Sequence, residues 1–195
     1  MASSVTSARA LQCDRSVEDA LVRKAQGFAL IDLIFVCGII GLLASIALPR
    51  LLAAQQSAGA ASAIGSMRAI NSAQLTFALT CGSGFYSPDL PTLGAAPPGS
   101  REAFITSALS LATTVTKAGY SIQMTASPFA GAPPSCNGLG PGSAGQGFVA
   151  GADPNSAGNF RFFATNANNI IYEHTSSLYA TMPEVGAPAA GGPLR

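Results

Sequence analysis

Few residues in this chain of 195 have the type and setting to do chemistry. The most unusual is Asp32. It is the single charge in the run Phe28–Leu48, FALIDLIFVCGIIGLLASIAL. An ionised carboxylate in hydrocarbon is costly unless paired, so its presence there points to a function. The other candidates read as ordinary structure. His174 is the lone histidine, beside Glu173; one histidine without a nucleophile partner reads as a polar strand end. Asp153-Pro154-Asn155-Ser156-Ala157-Gly158 has a faint calcium-loop look. It holds a single acid, Ala157 stands where a ligand is needed, and no Glu closes the loop, so it reads as a turn. There is no phosphate-binding glycine motif, no CxxC and no zinc spacing. The expectation is a protein without catalytic residues, cofactor or metal.

The element that positions Asp32 must be a helix in an apolar medium. Residues 28–48 match the length needed to cross a hydrocarbon core of about 30 Å. Arg23 and Lys24 precede the run, which orients residues 1–27 toward the cytoplasm. Cys13 then lies before the span, Cys37 inside it, and Cys81 and Cys136 beyond it. Disulfides persist on that far side. A Cys81–Cys136 bridge is expected there, with two free thiols as the alternative; Cys37 reads as a small packing residue. Gly38 and Gly41 permit close helix approach. Pro49 removes a backbone donor and is expected to kink or locally melt the helix. A formal net charge of +1 lacks the basic excess of a nucleic-acid binder.

The junction Arg23-Lys24-Ala25-Gln26-Gly27-Phe28-Ala29-Leu30-Ile31-Asp32-Leu33 joins a basic leader ending in Gly to an apolar run opened by Phe and interrupted by an acid. With Gly41, Ala44, Ile46, Ala47 and Pro49, and the stretch Met67–Gln74, it resembles the type IV pilin and pseudopilin family over residues 22–80. Asp32 stands where that family has Glu, and Ala29 where it has Thr or Ser. The resemblance implies cleavage between Gly27 and Phe28 by a prepilin peptidase, N-methylation of Phe28, and pairing of the new Phe28 amine with Asp32 of a neighbouring subunit. It implies an α+β fold, a long N-terminal helix packed on a small antiparallel sheet. The partners implied are other copies of the chain, further pilin-like subunits, the prepilin peptidase and the inner-membrane assembly machinery, with no nucleic acid. The precursor would sit in a bacterial inner membrane, N-terminus cytoplasmic, and the product in a surface pilus or periplasmic filament. A type II secretion pseudopilin forming a periplasmic piston is the first alternative, and a minor tip subunit with an adhesive or DNA-binding role the second. A secretory signal cut after Ser45-Ile46-Ala47, leaving Leu48 first, is a third.

The remainder divides into an amphipathic helix half at 49–80, a head at 81–180 and a loosely ordered tail at 181–195, after a removed leader at 1–27 and an assembly half at 28–48. Ile64, Met67, Leu75 and Leu79 are expected along the buried side of the helix, with Ile70 and Phe77 beside them, and Ser62, Ser66, Thr76 and Thr80 opposite. Cys81-Gly82-Ser83-Gly84 ends it. Phe85–Gly99 reads as a Pro-rich loop and Arg101–Lys117 as a second helix capped by Ser100. Tyr120–Thr125 alternates as a strand. A loop at 127–146 precedes a strand at Gly147–Ala150 and a hairpin of Asn159–Ala164 with Asn169–Glu173, turning at Asn166-Ala167-Asn168.

Overall fold

The computed structural model describes residues 30–194. The chain falls into two units that meet in sequence between Leu51 and Leu52. Helix α1, Leu30–Thr80, contributes residues to both, and Pro49 lies inside it. The fold class is α+β, one long apolar N-terminal helix and a small antiparallel sheet.

Within the second unit, α1 buries Ala60, Ala63, Met67, Ile70, Ala73 and Phe77. Their spacing of three and four residues is the helical repeat. Leu75 and Leu79, expected on this face, are 46% and 75% exposed, whereas Ser66 is buried. Ser66 Oγ donates to Ser62 O at 3.0 Å, so it enters the core with its hydroxyl satisfied. Small side chains along the stripe let the helix lie close to the sheet. At Gly59 the approach is close: a Cβ there would lie 2.7 Å from Ala118 O. The helix ends where expected. Cys81 N and Gly82 N both donate to Phe77 O, and Gly84 N donates to Ala78 O at 2.8 Å. Ser83 and Gly84 have positive φ, the left-handed exit that closes many helices.

The Pro-rich segment contains a short helix, α2, Leu90–Gly94. Asp89 caps it, accepting from Thr92 N at 2.9 Å. Leu90 and Leu93 are fully buried. Pro91 in the first turn is compatible with this, because donors there have no helical partner.

The second helix expected over Arg101–Lys117 is not formed. Ser100 Oγ accepts from Glu102 N in an exposed turn instead of capping a helix. Phe104 N and Ile105 N both donate to Leu93 O, at 3.0 and 3.3 Å, which pins this segment to α2. Helix α3 covers only Ser107–Ser110. Strand β1, Thr114–Lys117, follows, because the run Thr113-Thr114-Val115-Thr116 is β-branched and fits a pleated strand better than a helix.

Strands β1, β2 (Tyr120–Thr125), β3 (Val149–Pro154), β4 (Phe162–Asn166), β5 (Ile171–His174) and β6 (Gly192–Pro193) form one antiparallel sheet in sequence order. β2 matches its expected bounds. β3 starts later than expected and continues through Asp153 and Pro154, so the turn begins at Asn155. β4 and β5 are likewise shifted toward the C-terminus. Asn169 takes positive φ (60°) in their connection, and Asn168 N donates to Asn166 Oδ1. One sheet face presents Tyr120, Ile122, Met124, Ala152 and Phe163 to the core shared with α1. The other presents Val149, Ala164 and Tyr172, which pack with Leu178 and Met182.

Residues 181–194 are tied down rather than loose. Met182 is buried, Asn166 Nδ2 donates to Pro183 O and Gly186 O, and β6 pairs with β5. The second unit starts at Leu52, and the buried stripe of α1 is part of its core.

Candidate functional site

The first unit carries the candidate site. From Leu30 to Leu48 every large apolar side chain of α1 is exposed, among them Leu30 at 75%, Ile31 at 74% and Leu42 at 71%. They surround the helix instead of forming one stripe. Such a helix is built to be covered on all sides, by lipid or by other helices. Each of these side chains is worth about 1.5–3 kcal/mol on full burial, so the uncovered surface is a strong drive to associate. The segment is long and apolar enough to cross a membrane.

The polar groups in this segment fall into two kinds. Ser45 Oγ donates to Leu42 O at 2.7 Å, which satisfies the hydroxyl within its own helix. Asp32, in the first turn of α1, is exposed. Among the described residues it has no ion-pair partner. The start of a helix favours a negative charge, but in an apolar medium that field does not replace a counter-ion. Gly27 and Phe28, the expected cleavage and methylation positions, lie outside the described residues. At Gly38 and Gly41 a Cβ would meet no atom within 4 Å, so both leave open surface against which another helix could close. Cys37 is an exposed free thiol.

In the second unit Cys81 and Cys136 form the expected disulfide, with Cα atoms 4.8 Å apart across 55 residues of sequence. Cys136 N also donates to Cys81 O at 3.1 Å. The bridge fastens the irregular 127–146 segment to the first residue after α1.

Several other polar side chains of this unit are paired with one another or with the backbone. Arg161 Nε and Nη2 donate to the two Glu173 carboxylate oxygens at 2.5 and 3.1 Å. The guanidinium also lies 5.3 Å from the Phe163 ring centre. The Glu173 carboxylate raises the Arg161 pKa above its ordinary value. Tyr120 donates its hydroxyl to Arg161 O at 3.1 Å and accepts from Asn159 Nδ2 at 2.9 Å. Burial pushes that hydroxyl up from its usual pKa, the Asn159 hydrogen bond opposing. His174 ends β5 beside this pair. Asp153 Oδ2 accepts from Ser177 Oγ at 2.7 Å, and its Oδ1 is buried without a partner. Among the described residues no three His, Cys, Asp or Glu side chains converge.

Two buried links missed in the sequence hold α1 to the rest of its unit. Asn71 Nδ2 donates to Thr165 Oγ1 at 2.9 Å, and Gln74 is fully buried against Ser87. A polar residue recurring on an apolar helix face was the available signal. No family model, curated protein or solved structure matches the chain.

Proposed function

We propose that this chain is a structural subunit of a membrane-assembled filament, of the type IV pilin kind, which polymerises through the first part of α1. The observation that carries the reading is one carboxylate, Asp32, fixed in the first turn of a helix whose apolar side chains from Leu30 to Leu48 are exposed all round. A simple membrane anchor needs the apolar surface but has no use for the acid. A helix that must leave lipid and dock beside copies of itself at one axial offset has a use for both.

On this reading a peptidase cuts between Gly27 and Phe28, and the Phe28 amine, methylated, carries the positive charge. In the filament that amine pairs with Asp32 of a neighbour. Either charge left alone in an apolar bundle is strongly unfavourable, and together they offset that cost. The pair therefore selects register while the apolar side chains supply adhesion. The disulfide supports an extracytoplasmic location for the second unit, since such bridges persist in oxidising compartments.

Sequencing the N-terminus of the protein recovered from membranes tests the proposal. A chain starting at Phe28 is expected. A start at Leu48 would mean that the apolar run is a signal peptide and that no assembly helix survives. In cells lacking the protein, loss of long surface fibres marks a pilus, whereas loss of secretion marks a periplasmic piston.

A further inference from the structure

Asn137 precedes Gly138, and this is the one Asn-Gly pair in the chain. Such a pair is chemically exposed. Glycine has no side chain to shield its own backbone nitrogen, so that nitrogen can attack the neighbouring carboxamide carbon. The N–Cγ bond forms, the Cγ–NH2 bond breaks, and ammonia leaves with the amide proton. Water then opens the resulting succinimide at either carbonyl, giving aspartate or isoaspartate. The net change consumes one water and releases one ammonia, with no oxidant or reductant.

Here the reactive groups are occupied. Asn137 Oδ1 accepts from Ser135 Oγ at 2.5 Å. Its Nδ2 donates to Thr92 O at 2.8 Å and to Ala95 O at 3.2 Å. These are carbonyls at the C-terminal end of α2, where backbone acceptors are short of helical donors; Thr92 O also accepts from Ala95 N. The attacking nitrogen is held too: Gly138 N donates to Ser135 O at 3.3 Å. Leu139 N and Ser135 Oγ close the same turn at 3.1 Å. The adjacent residue, Cys136, is bridged to Cys81. Attack on Cγ requires the carboxamide to rotate away from both α2 carbonyls, which the closed turn resists.

We infer that Asn137–Gly138 is a latent deamidation site, held unreactive by the α2 carbonyls and the Cys81–Cys136 bridge, and that its conversion unlatches the 127–146 segment from α2. After conversion a carboxylate oxygen replaces the NH2 group. Ala95 O and Thr92 O, the second of which also accepts from Ala95 N at 3.2 Å, then lose the Asn137 donor and face a negative charge. The conversion runs one way, so it marks chains that have spent time without the bridge. This inference does not depend on how the chain assembles.

The test uses the full chain in detergent micelles at mildly alkaline pH, with the bridge intact or reduced. Peptide mass spectrometry follows the exchange of NH2 for OH at Asn137. Asn155, which is exposed and precedes Ser156, is the internal reference. With the bridge intact, Asn137 should convert no faster than Asn155. Reduction should raise the Asn137 rate relative to Asn155 by about tenfold or more, the effect of releasing two hydrogen bonds. An unchanged ratio on reduction, or faster conversion at Asn137 than at Asn155 with the bridge intact, overturns the protected state. A second comparison tests the unlatching. Asn137→Asp should lower the Tm more than Asn137→Ala, because only the first adds charge against the carbonyls. An equal or smaller drop for Asn137→Asp overturns that half.

Discussion

The side chain of Gln74 imitates a backbone partner for Ser87. Its Nε2 donates to Ser87 O at 2.9 Å, and its Oε1 accepts from Ser87 N at 2.9 Å. Both residues are completely buried. The chain leaving α1 thus returns to the helix at a fixed point, one polar residue satisfying two backbone groups away from water. Gln74→Leu keeps the bulk and removes both bonds, leaving a buried donor and acceptor unpaired. A loss of about 2–4 kcal/mol follows from the desolvation cost of such groups. Denaturation of the full chain in detergent should show it as a clear drop in midpoint.

Two glycines of α1 should respond in opposite ways to the same substitution. Gly65 is exposed, and a Cβ there meets nothing within 4 Å. Gly65→Ala should stabilise the protein by about 0.5–1 kcal/mol through helix propensity. At Gly59 the new Cβ would lie 2.7 Å from Ala118 O, a backbone atom. Ala118 sits in the two-residue β1–β2 turn with φ of 50°, followed by Gly119 at 80°, so the carbonyl belongs to a constrained turn. Gly59→Ala should therefore lower the Tm despite the same gain in propensity. A Tm increase for both variants would mean that the helix does not approach the turn this closely.

Stability at alkaline pH should report on Tyr120. Burial raises its hydroxyl pKa in the folded chain, so the native state holds that proton more tightly than the unfolded state. The resulting stabilisation is complete below the ordinary tyrosine value of about 10 and is lost as pH rises through the raised native value. Tyr120→Phe removes this slope. It also leaves Asn159 Nδ2 without its acceptor, at a cost of about 1 kcal/mol at neutral pH. Melting curves from pH 7 to pH 11 should show a shallower alkaline decline in the variant, starting from a lower Tm.

What the sequence made legible was set by how local each signal is. α1 was readable because alanine, apolar residues and the absence of proline after Pro49 all favour one state. The alternation of Tyr120–Thr125 was equally local. The stretch 101–117 misled because Phe104, Ile105, Ala108, Leu111 and Val115 fall at helical spacing. Leu111 is in fact 80% exposed, and the backbone of Phe104 and Ile105 is claimed by Leu93 O, a contact that spacing cannot reveal. α2 went unread because three prolines around it suggested a loop, although Asp89 and Pro91 together form a helix start. The C-terminal stretch looked loose from its Gly, Ala and Pro content, yet Asn166 and Asn168 hold it through Pro183 and Gly186. At the candidate site the acid and the apolar run were evident from residue types alone.

The role given to Asp32 is tested most directly by substitution followed by two readings from one culture: the N-terminal residue of the product, and filaments by electron microscopy. Asp32→Ala should still yield a chain beginning at Phe28 but no filaments. Leaving the Phe28 amine unpaired in an apolar bundle would cost about 3–5 kcal/mol per subunit contact. Asp32→Glu, which keeps the charge, should restore assembly. Filaments of normal length and number from Asp32→Ala would contradict the account.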